Sequence, residues 1–150
     1  MVPRDVPSLE VLRRQAVEAG FSEVYDRSDF ADVVAGEEDA FPRWIDDDRF
    51  EAVVAETDVT VVGFGVLDRE RCRVAALYTA PAHQGHGCGS RMLTHLEDAA
   101  REAGCTRLVV EAPRNADGFF ADRGYEAVGD TTRWGLPMTE RAKDLGTTDG

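Results

Sequence analysis

Three glycines at alternate positions constrain the fold of this chain more than any other feature. Gly85, Gly87 and Gly89 lie between a segment rich in β-branched residues and an amphipathic one. Because glycine has no Cβ, backbone at these positions can approach a ligand closely and turn its N–H groups toward one point, while a following helix adds the positive end of its dipole. The pattern predicts a phosphate-binding loop; a glycine-rich turn that serves only tight packing is the alternative.

The spacing of the loop excludes the two common nucleotide-binding motifs. A Walker A loop needs a lysine followed by serine or threonine, and residues 81–91 contain no lysine. A Rossmann fingerprint needs a further glycine three residues after the second of its pair, where this chain has Met92. We therefore expect a phosphate ligand that is bound by a loop of another kind.

Hydrophobic periodicity predicts an α/β (α+β) fold with a mixed, mostly antiparallel sheet flanked by helices. Three strands joined by short polar turns form a meander, and the glycine loop, a helix and a parallel strand then form a βαβ unit. The strands are expected at 50–56, 59–67, 72–79 and 106–112, with two weak ones at 125–128 and 132–136. Helices are expected at 9–19 with Ser8 as N-cap, shortly after Ser28, and at 116–122. A further helix is expected where the apolar residues from Met92 to Ala103 share one face, and it ends at Gly104.

No repeat, linker or low-complexity segment divides the chain, so residues 1–150 are expected to form a single domain. The ends at 1–7 and 146–150 are expected to be loose, because the first is interrupted by two prolines and the second has no apolar residue. A strand within 2–6 would be short, weak or missing.

The charge balance disfavours nucleic acid as a partner. The chain has 17 Lys plus Arg against 29 Asp plus Glu, a formal net charge of -12, and Lys143 is its only lysine. A chain with this excess of negative charge repels phosphates unless it has a concentrated basic patch, and none is visible. The even scatter of acidic residues favours a surface adapted to a salt-rich solvent over a site for a cationic substrate.

Neither a membrane-spanning segment nor a signal peptide is recognisable, so a cytoplasmic location is expected. The three cysteines, Cys72, Cys88 and Cys105, are odd in number and widely spaced. We expect free thiols in a reducing compartment, with neither a disulfide framework nor a cysteine-rich metal site.

Two motifs in a fixed order resemble those of one enzyme family. The segment Gln84-Gly-His-Gly-Cys-Gly89 resembles the Q/R-x-x-G-x-G/A loop of the GNAT superfamily of N-acetyltransferases. Asn115-Ala-Asp-Gly-Phe-Phe-Ala-Asp-Arg-Gly-Tyr125 resembles the family's N-A-x-x-F-Y-x-x-x-G-F/Y segment at the expected distance downstream. The likeness covers about residues 50–136 and agrees with the predicted order of elements.

The resemblance implies an acetyl-CoA site between two splayed strands. In such enzymes the pantetheine arm bonds to strand backbone, and the loop N–H groups hold the pyrophosphate. The positions that this assigns to the cofactor are Leu77, Tyr78, Thr79, Gln84, Gly85, His86, Gly87, Cys88, Gly89, Ser90, Asn115 and Phe120. Arg91 and Arg123 are the nearest candidate cations, and no metal is expected. Relatives are often dimers, which leaves a homodimer open without deciding the oligomeric state.

The resemblance also implies direct transfer of acetyl to an amine of a small molecule or a protein. Glu111, at the end of a predicted strand, is the candidate base, with a solvated strand-end charge as the alternative. Phe120 stands where many relatives have a proton-donating tyrosine, so Tyr125, Tyr78 or water would substitute, or the thiolate would leave unassisted. Trp44 and Trp134 are candidates for the acceptor pocket or for the core.

Two other classes of function stay open on the sequence. The missing tyrosine at position 120 favours a non-catalytic acyl-CoA-binding or regulatory module of the same fold. An antiparallel-sheet interaction domain without a cofactor is the third possibility.

Overall fold

The computed structural model describes residues 3–26, 28, 40–58, 60–84 and 87–146. Its helices are α1 (Val6–Phe21), α2 (Ala40–Asp46), α3 (Cys88–Glu102) and α4 (Asp117–Asp122), with 3-10 turns at Pro3–Asp5 and Pro81–His83. Its strands are β1 (Phe50–Glu56), β2 (Val61–Asp68), β3 (Arg73–Thr79), β4 (Arg107–Ala112), β5 (Glu126–Arg133) and β6 (Leu136–Asp144). The short helix expected after Ser28 lies outside the described residues.

One mixed sheet carries all six strands in the order β1-β2-β3-β4-β6-β5. Every neighbouring pair is antiparallel except β3 and β4, which are parallel and are connected through α3. This agrees with the predicted meander followed by a βαβ crossover, and the mixed, mostly antiparallel sheet with flanking helices is confirmed.

The helices cover the two faces of the sheet. On one face, α3 packs Leu93, Leu96 and Ala100 into a cluster with strand residues that include Leu67 and Leu108. The sequence of α3 explains this packing, because apolar residues three and four apart lie on the same side of a helix.

The other face is covered by α1 and α2. Leu9 and Leu12 of α1 pack with Phe41 and Trp44 of α2 against Phe64 of β2. Further along α1, Val17 and Phe21 pack against Leu136 and Met138 of β6. Helix α1 therefore spans from the β2–β3 side of the sheet to the β6 side.

The N-terminal segment was predicted to be loose, and this was wrong, because residues 3–7 are helical. A strand, predicted to be short, weak or missing, is not present among the described residues 3–6. The helix starts at Val6 with Asp5 as N-cap, and the predicted cap, Ser8, lies inside it. Pro7 occupies the first turn, where a missing N–H costs no helical hydrogen bond and the fixed φ suits the helix. At the other end, Gly146 is the last residue that the structure describes.

The C-terminal strands also differ from the prediction. The segment 132–136 is not a strand of its own, since Trp134 and Gly135 form a tight turn with φ of 55° and 76° between β5 and β6. The long β6 was missed because Pro137 and its alternating charges lower its strand propensity. Pairing on both edges, with β4 and with β5, overrides that propensity.

The prediction of three free thiols was wrong as well. Cys72 and Cys105 form a disulfide across a separation of 33 residues, and of the three cysteines only Cys88 is free. Each bonded cysteine lies just before one strand of the parallel pair, so the crossover brings together two residues that sequence spacing cannot relate. No described helix is long and apolar enough to cross a membrane.

Candidate functional site

Strands β3 and β4 separate almost as soon as they meet. Their pairing is limited to Arg73 opposite Val109, with the Val109 N–H donating to the Cys72 carbonyl at 3.0 Å. Beyond this point a cavity of about 380 Å³ opens between them. The backbone edge that β3 turns toward β4 is therefore left for a ligand.

An extra residue in β3 accounts for the divergence. Val66 of β2 pairs with Ala76 and Leu67 pairs with Val74, so Ala75 has no partner in the register. A bulge of this kind bends its strand and increases the local twist. Arg133 of β5 reaches across the opening and donates from Nη2 to the Ala75 carbonyl at 3.2 Å.

The N-terminus of α3 closes one end of the cavity. Gly87 is the N-cap residue with φ of 80°, a left-handed conformation that glycine adopts without strain, and no side chain of the described residues caps the helix. The first N–H groups of α3 are thus available to an anion, and the helix dipole adds positive potential there.

A close approach favours glycine at position 89. A Cβ built on it would lie 3.3 Å from two ring atoms of Phe119. The absence of a side chain lets the Phe119 ring pack directly on the first turn of α3. Helix α4, which carries Phe119, is anchored by Arg141, whose Nε donates to Asp117 at 2.6 Å and lowers the pKa of that carboxyl.

Arg123 adds a cation beside the same helix end. Its Nε donates to the Ser90 hydroxyl at 2.7 Å and its Nη1 donates to the Phe119 carbonyl at 3.0 Å. The guanidinium carbon lies 3.8 Å from the centroid of the Phe119 ring, which is a cation–π contact. These contacts hold a positive charge where the cavity meets the uncapped N–H groups.

The opposite end of the cavity combines apolar walls with a charged group. Ala16 and Phe21 of α1 line it together with Trp134 of the β5–β6 turn. Glu111 of β4 also lines the cavity, and its carboxylate accepts a hydrogen bond from Arg73. The site therefore has a cationic, N–H-rich end and an end where a carboxylate meets aromatic side chains.

The comparisons with known proteins agree on one family. The model of the acetyltransferase (GNAT) domain matches residues 11–144. This chain belongs to the GNAT acetyltransferase family. No curated protein sequence matches the chain.

Solved structures of GNAT proteins have the same fold. A GCN5-related N-acetyltransferase from Rhodopseudomonas palustris is 25% identical with a TM-score of 0.85, over 96% of this chain and 92% of that one. The PaiA N-acetyltransferase from Thermoplasma acidophilum, solved with coenzyme A, is 16% identical with a TM-score of 0.80, over 96% and 95%. The ribosomal-protein-S18-alanine N-acetyltransferase from Escherichia coli is 14% identical with a TM-score of 0.72, over 99% and 92%.

Most of the residues that the GNAT motifs select lie together at the cavity. The lining residues among them are Leu77, Tyr78, Thr79, Gln84, Gly87, Cys88, Gly89, Ser90, Glu111, Asn115 and Phe120. Gly85 and His86 lie outside the described residues. Gln84 donates from Nε2 to the Thr79 carbonyl at 3.4 Å, which ties the start of the glycine loop to the end of β3.

Tyr125 lies apart from the cavity that the other predicted residues line. Its side chain is buried at 1% exposure, and its hydroxyl donates to Glu97 Oε2 at 2.8 Å. Its position gives no support to the predicted role as a proton donor. Tyr78, the other tyrosine predicted for this role, does line the cavity.

Sequence reasoning missed several residues of this site. Arg73 and Arg133 carried no motif signal, because an arginine at a strand end reads as a solvated charge. Phe119 matches the F of the second motif, but no role was predicted for it. Trp44 belongs to the core at 4% exposure, whereas Trp134 lines the cavity, and the turn that orients Trp134 was itself not predicted. Among the described residues, no group of three or more His, Cys, Asp or Glu side chains could hold a metal ion.

Proposed function

We propose that this protein transfers an acetyl group from acetyl-CoA to an amine. The observation that carries the proposal is the continuous path from the edge of β3 that β4 leaves unpaired beyond Arg73 to the uncapped N-terminus of α3. The path suits a ligand with a hydrogen-bonding arm and a phosphate group at one end. Membership of an acetyltransferase family makes acetyl-CoA the natural candidate for that ligand.

The residues present fit coenzyme A both along the edge of β3 and at the N-terminus of α3. The backbone of Leu77, Tyr78 and Thr79 would bond to the pantetheine arm, because β4 leaves that edge of β3 unpaired. The N–H groups of Cys88, Gly89 and Ser90 would hold the phosphates, with Arg123 supplying a positive charge beside them.

The thioester of bound acetyl-CoA supplies the acetyl group. Glu111 would accept the proton of the incoming ammonium, directly or through one water molecule. A backbone N–H near Tyr78 would stabilise the negative charge that develops on the carbonyl oxygen. Tyr78 is the hydroxyl-bearing candidate for protonating the departing sulfur, since Phe120 has no proton to give.

Cofactor binding is tested by Gly87→Glu. A Cβ at Gly87 meets no described atom within 4 Å, and a side chain there is strained because φ is 80°. The new carboxylate would place a negative charge beside the phosphate site and repel the ligand. Calorimetry with CoA should show affinity at least tenfold weaker. The matched control is Gly104→Glu at the other end of α3, where φ is 89° and a Cβ likewise meets nothing. Equal CoA affinity in the two variants would refute the loop assignment.

Catalysis is tested by thiol release. The purified protein is incubated with acetyl-CoA and a panel of small amines and peptides with free N-termini, and free CoA is measured with a thiol reagent. We expect release above hydrolysis with at least one amine, and loss of most of that rate in Glu111→Gln. Release with no amine, despite tight CoA binding, would count against the proposal.

A second candidate function is acyl-CoA binding without turnover. The observation that favours it is the pair Phe120 and Tyr125: the first lacks a hydroxyl at the cavity, and the second donates its hydroxyl to Glu97. Phe120→Tyr separates the two functions, because the new hydroxyl restores the family's usual donor position. A rate gain of tenfold or more, within the range for general acid catalysis, would show that the protein is a transferase lacking a donor. Tight binding without turnover in both forms would favour the binding module.

A further inference from the structure

Two opposite charges line one end of the cavity. Glu111 of β4 and Arg133 of β5 line it together with Ala16, Phe21 and Trp134. We call this the acceptor end, because the proposed function assigns the cofactor phosphates to the N-terminus of α3 at the other end. A ligand at the acceptor end therefore meets a carboxylate, a guanidinium and aromatic rings.

Two contacts fix the position of Arg133 at the bulge of β3. Its Nη2 donates to the Ala75 carbonyl at 3.2 Å, and its guanidinium carbon lies 4.1 Å from the centroid of the Trp134 ring. A carbonyl and a ring carry no formal charge, so these contacts orient the guanidinium without neutralising it. A guanidinium presents its N–H groups in one plane, which is the geometry that binds a carboxylate through two hydrogen bonds.

The strand register places Arg133 and Glu111 at the same level of the cleft. The parallel strands β3 and β4 pair at Arg73 and Val109, and two residues beyond this pair lie Ala75 on β3 and Glu111 on β4. Arg133 is held at the β3 side through Ala75, and Glu111 belongs to the β4 side. The guanidinium and the carboxylate therefore flank the cleft where it begins to open.

A second arginine lies behind the wall of the acceptor end. Arg13 of α1 is 3% exposed, and its guanidinium carbon lies 5.9 Å from the centroid of the Tyr78 ring and 6.0 Å from that of Trp134. Both rings line the cavity. A buried charge is screened less than a charge on the surface, so Arg13 adds positive potential to this end.

The charges around the acceptor end do not follow the overall charge of the chain. Arg73 donates to Glu111 and, at 3.2 Å, to Glu140, which lies directly opposite Glu111 on β6. One guanidinium thus serves two carboxylates, and Arg13 and Arg133 add two further cations. These three arginines outnumber the two carboxylates, although the chain as a whole has a net charge of -12.

We propose that the acetyl acceptor is an amino acid, an amine with a carboxylate close to its nitrogen. Glu111 receives the ammonium group, Arg133 binds the carboxylate, and Phe21 and Trp134 contact the side chain. Arg133 is then a specificity-determining residue, since an amine without a carboxylate leaves its charge unmatched in the cleft. The inference rests on the proposed function, in which Glu111 is the base.

The transfer itself is the one already proposed, with the acceptor now specified. The nitrogen forms a bond to the acetyl carbon, and the bond from that carbon to sulfur breaks. Of the two protons that the ammonium loses, one passes to Glu111 and one leaves with the sulfur as the thiol of CoA. The carboxylate takes no part in the bond changes, so its contribution is binding and orientation.

Matched acceptors test the inference in the unmodified protein. Thiol release from acetyl-CoA is measured with L-phenylalanine and L-leucine, with the carboxamide of each, and with the diamine putrescine. We expect kcat/KM about tenfold or more higher for each amino acid than for its carboxamide, mainly through a lower KM. The carboxamide has the larger fraction of neutral amine at neutral pH, so this preference cannot come from the amine itself. A preference for the carboxamides or for putrescine would overturn the inference.

The substitution Arg133→Gln tests the residue. Glutamine keeps an N–H donor for the Ala75 carbonyl but has no charge, so kcat/KM should fall about tenfold for the amino acid and change less than threefold for its carboxamide. Arg133→Lys, which keeps the charge, should retain part of the preference. The matched control is Arg107→Gln, the same change in charge at an exposed position of β4 outside the cavity, where the ratio should not change. A preference that survives in Arg133→Gln would show that Arg133 does not determine it.

A binding measurement decides the preference without turnover. Calorimetry on the protein with CoA present compares N-acetyl-L-phenylalanine with its carboxamide, and the acid should bind about tenfold more tightly in the unmodified protein and equally in Arg133→Gln. Thermal stabilisation by CoA in every variant shows that the cleft is folded.

The outcomes separate this inference from the proposed function. If no amine is acetylated, the proposed activity fails, and equal affinities in calorimetry then overturn the preference for a carboxylate as well. If amines without a carboxylate are acetylated as fast as amino acids, the proposed function stands and the inference is wrong.

Discussion

At the scale of single residues, burial and one hydrogen bond define Tyr125. Burial raises the pKa of the phenol well above its ordinary value, and the hydrogen bond that it donates to Glu97 raises the pKa further. Glu97 is 7% exposed on α3 and also accepts from Lys143 Nζ at 3.0 Å. The phenol therefore stays protonated. Its hydrogen bond to Glu97 joins the segment that follows α4 to α3, which is a structural role.

The substitution Tyr125→Phe tests this structural role. Loss of a buried hydrogen bond to a charged group should lower the free energy of unfolding by about 2 kcal/mol, because Glu97 keeps only Lys143 as a partner. Urea unfolding measures that loss. The rate of acetyl transfer, measured under conditions where both forms are folded, should change less than twofold. A hundredfold loss of rate without loss of stability would instead indicate a catalytic phenol.

At the scale of elements, the junction of β3 and β4 decides where the cleft lies. Three features lie within a few residues of each other here: the pairing of Arg73 with Val109, the Cys72–Cys105 disulfide and the bulge at Ala75. The disulfide joins the two strands on the closed side of the junction, and the cleft opens on the other side. Neither the disulfide nor the bulge was predicted, since both depend on residues distant in sequence being brought together.

Reduction of the Cys72–Cys105 disulfide should destabilise the fold. Closing a loop of this length, a separation of 33 residues, lowers the entropy of the unfolded chain and corresponds to about 3–4 kcal/mol in the chain-entropy model. Urea unfolding with and without reductant measures the difference. The double variant Cys72→Ser, Cys105→Ser is the control, because its stability should be low and indifferent to reductant. An unmodified protein that is equally stable in both conditions would contradict the prediction.

At the scale of the whole molecule, the charge of -12 opposes both compaction and the binding of a polyanion. The candidate site counters this field locally, with the N-terminus of α3 and Arg123. Salt shortens the range of the global repulsion from about 10 Å at 0.1 M to about 3 Å at 1 M, while contacts at hydrogen-bond distance are affected less.

Raising KCl from 0.1 M to 1 M should therefore keep or raise the thermal midpoint at pH 7, and acetyl transfer should persist. Differential scanning calorimetry at the two salt concentrations measures the midpoint. The control is the same pair of scans near pH 4.6, the sequence pI, where the net charge is close to zero and the salt effect should shrink. A midpoint that falls with salt at pH 7 would show that specific ion pairs outweigh the overall repulsion.

The sequence by itself determined the features that are local along the chain. The apolar face of α3, the strand meander and the glycine loop follow from side-chain periodicity and backbone freedom within some 15 residues, and the two motifs identified the family. Most of the predicted cofactor residues line one cavity for the same reason, since they flank that loop and the strand before it.

The tertiary structure alone decided what depends on contacts between distant residues. These are the disulfide, the long β6 between two partners, the burial of Tyr125 on Glu97 and the sharing of Arg73 by Glu111 and Glu140. The disulfide and these side-chain hydrogen bonds join residues 28 to 67 apart along the chain. Side-chain type and periodicity describe each residue's own preferences, but a disulfide, a strand pairing or an ion pair forms only once the crossover has brought both partners to the same place.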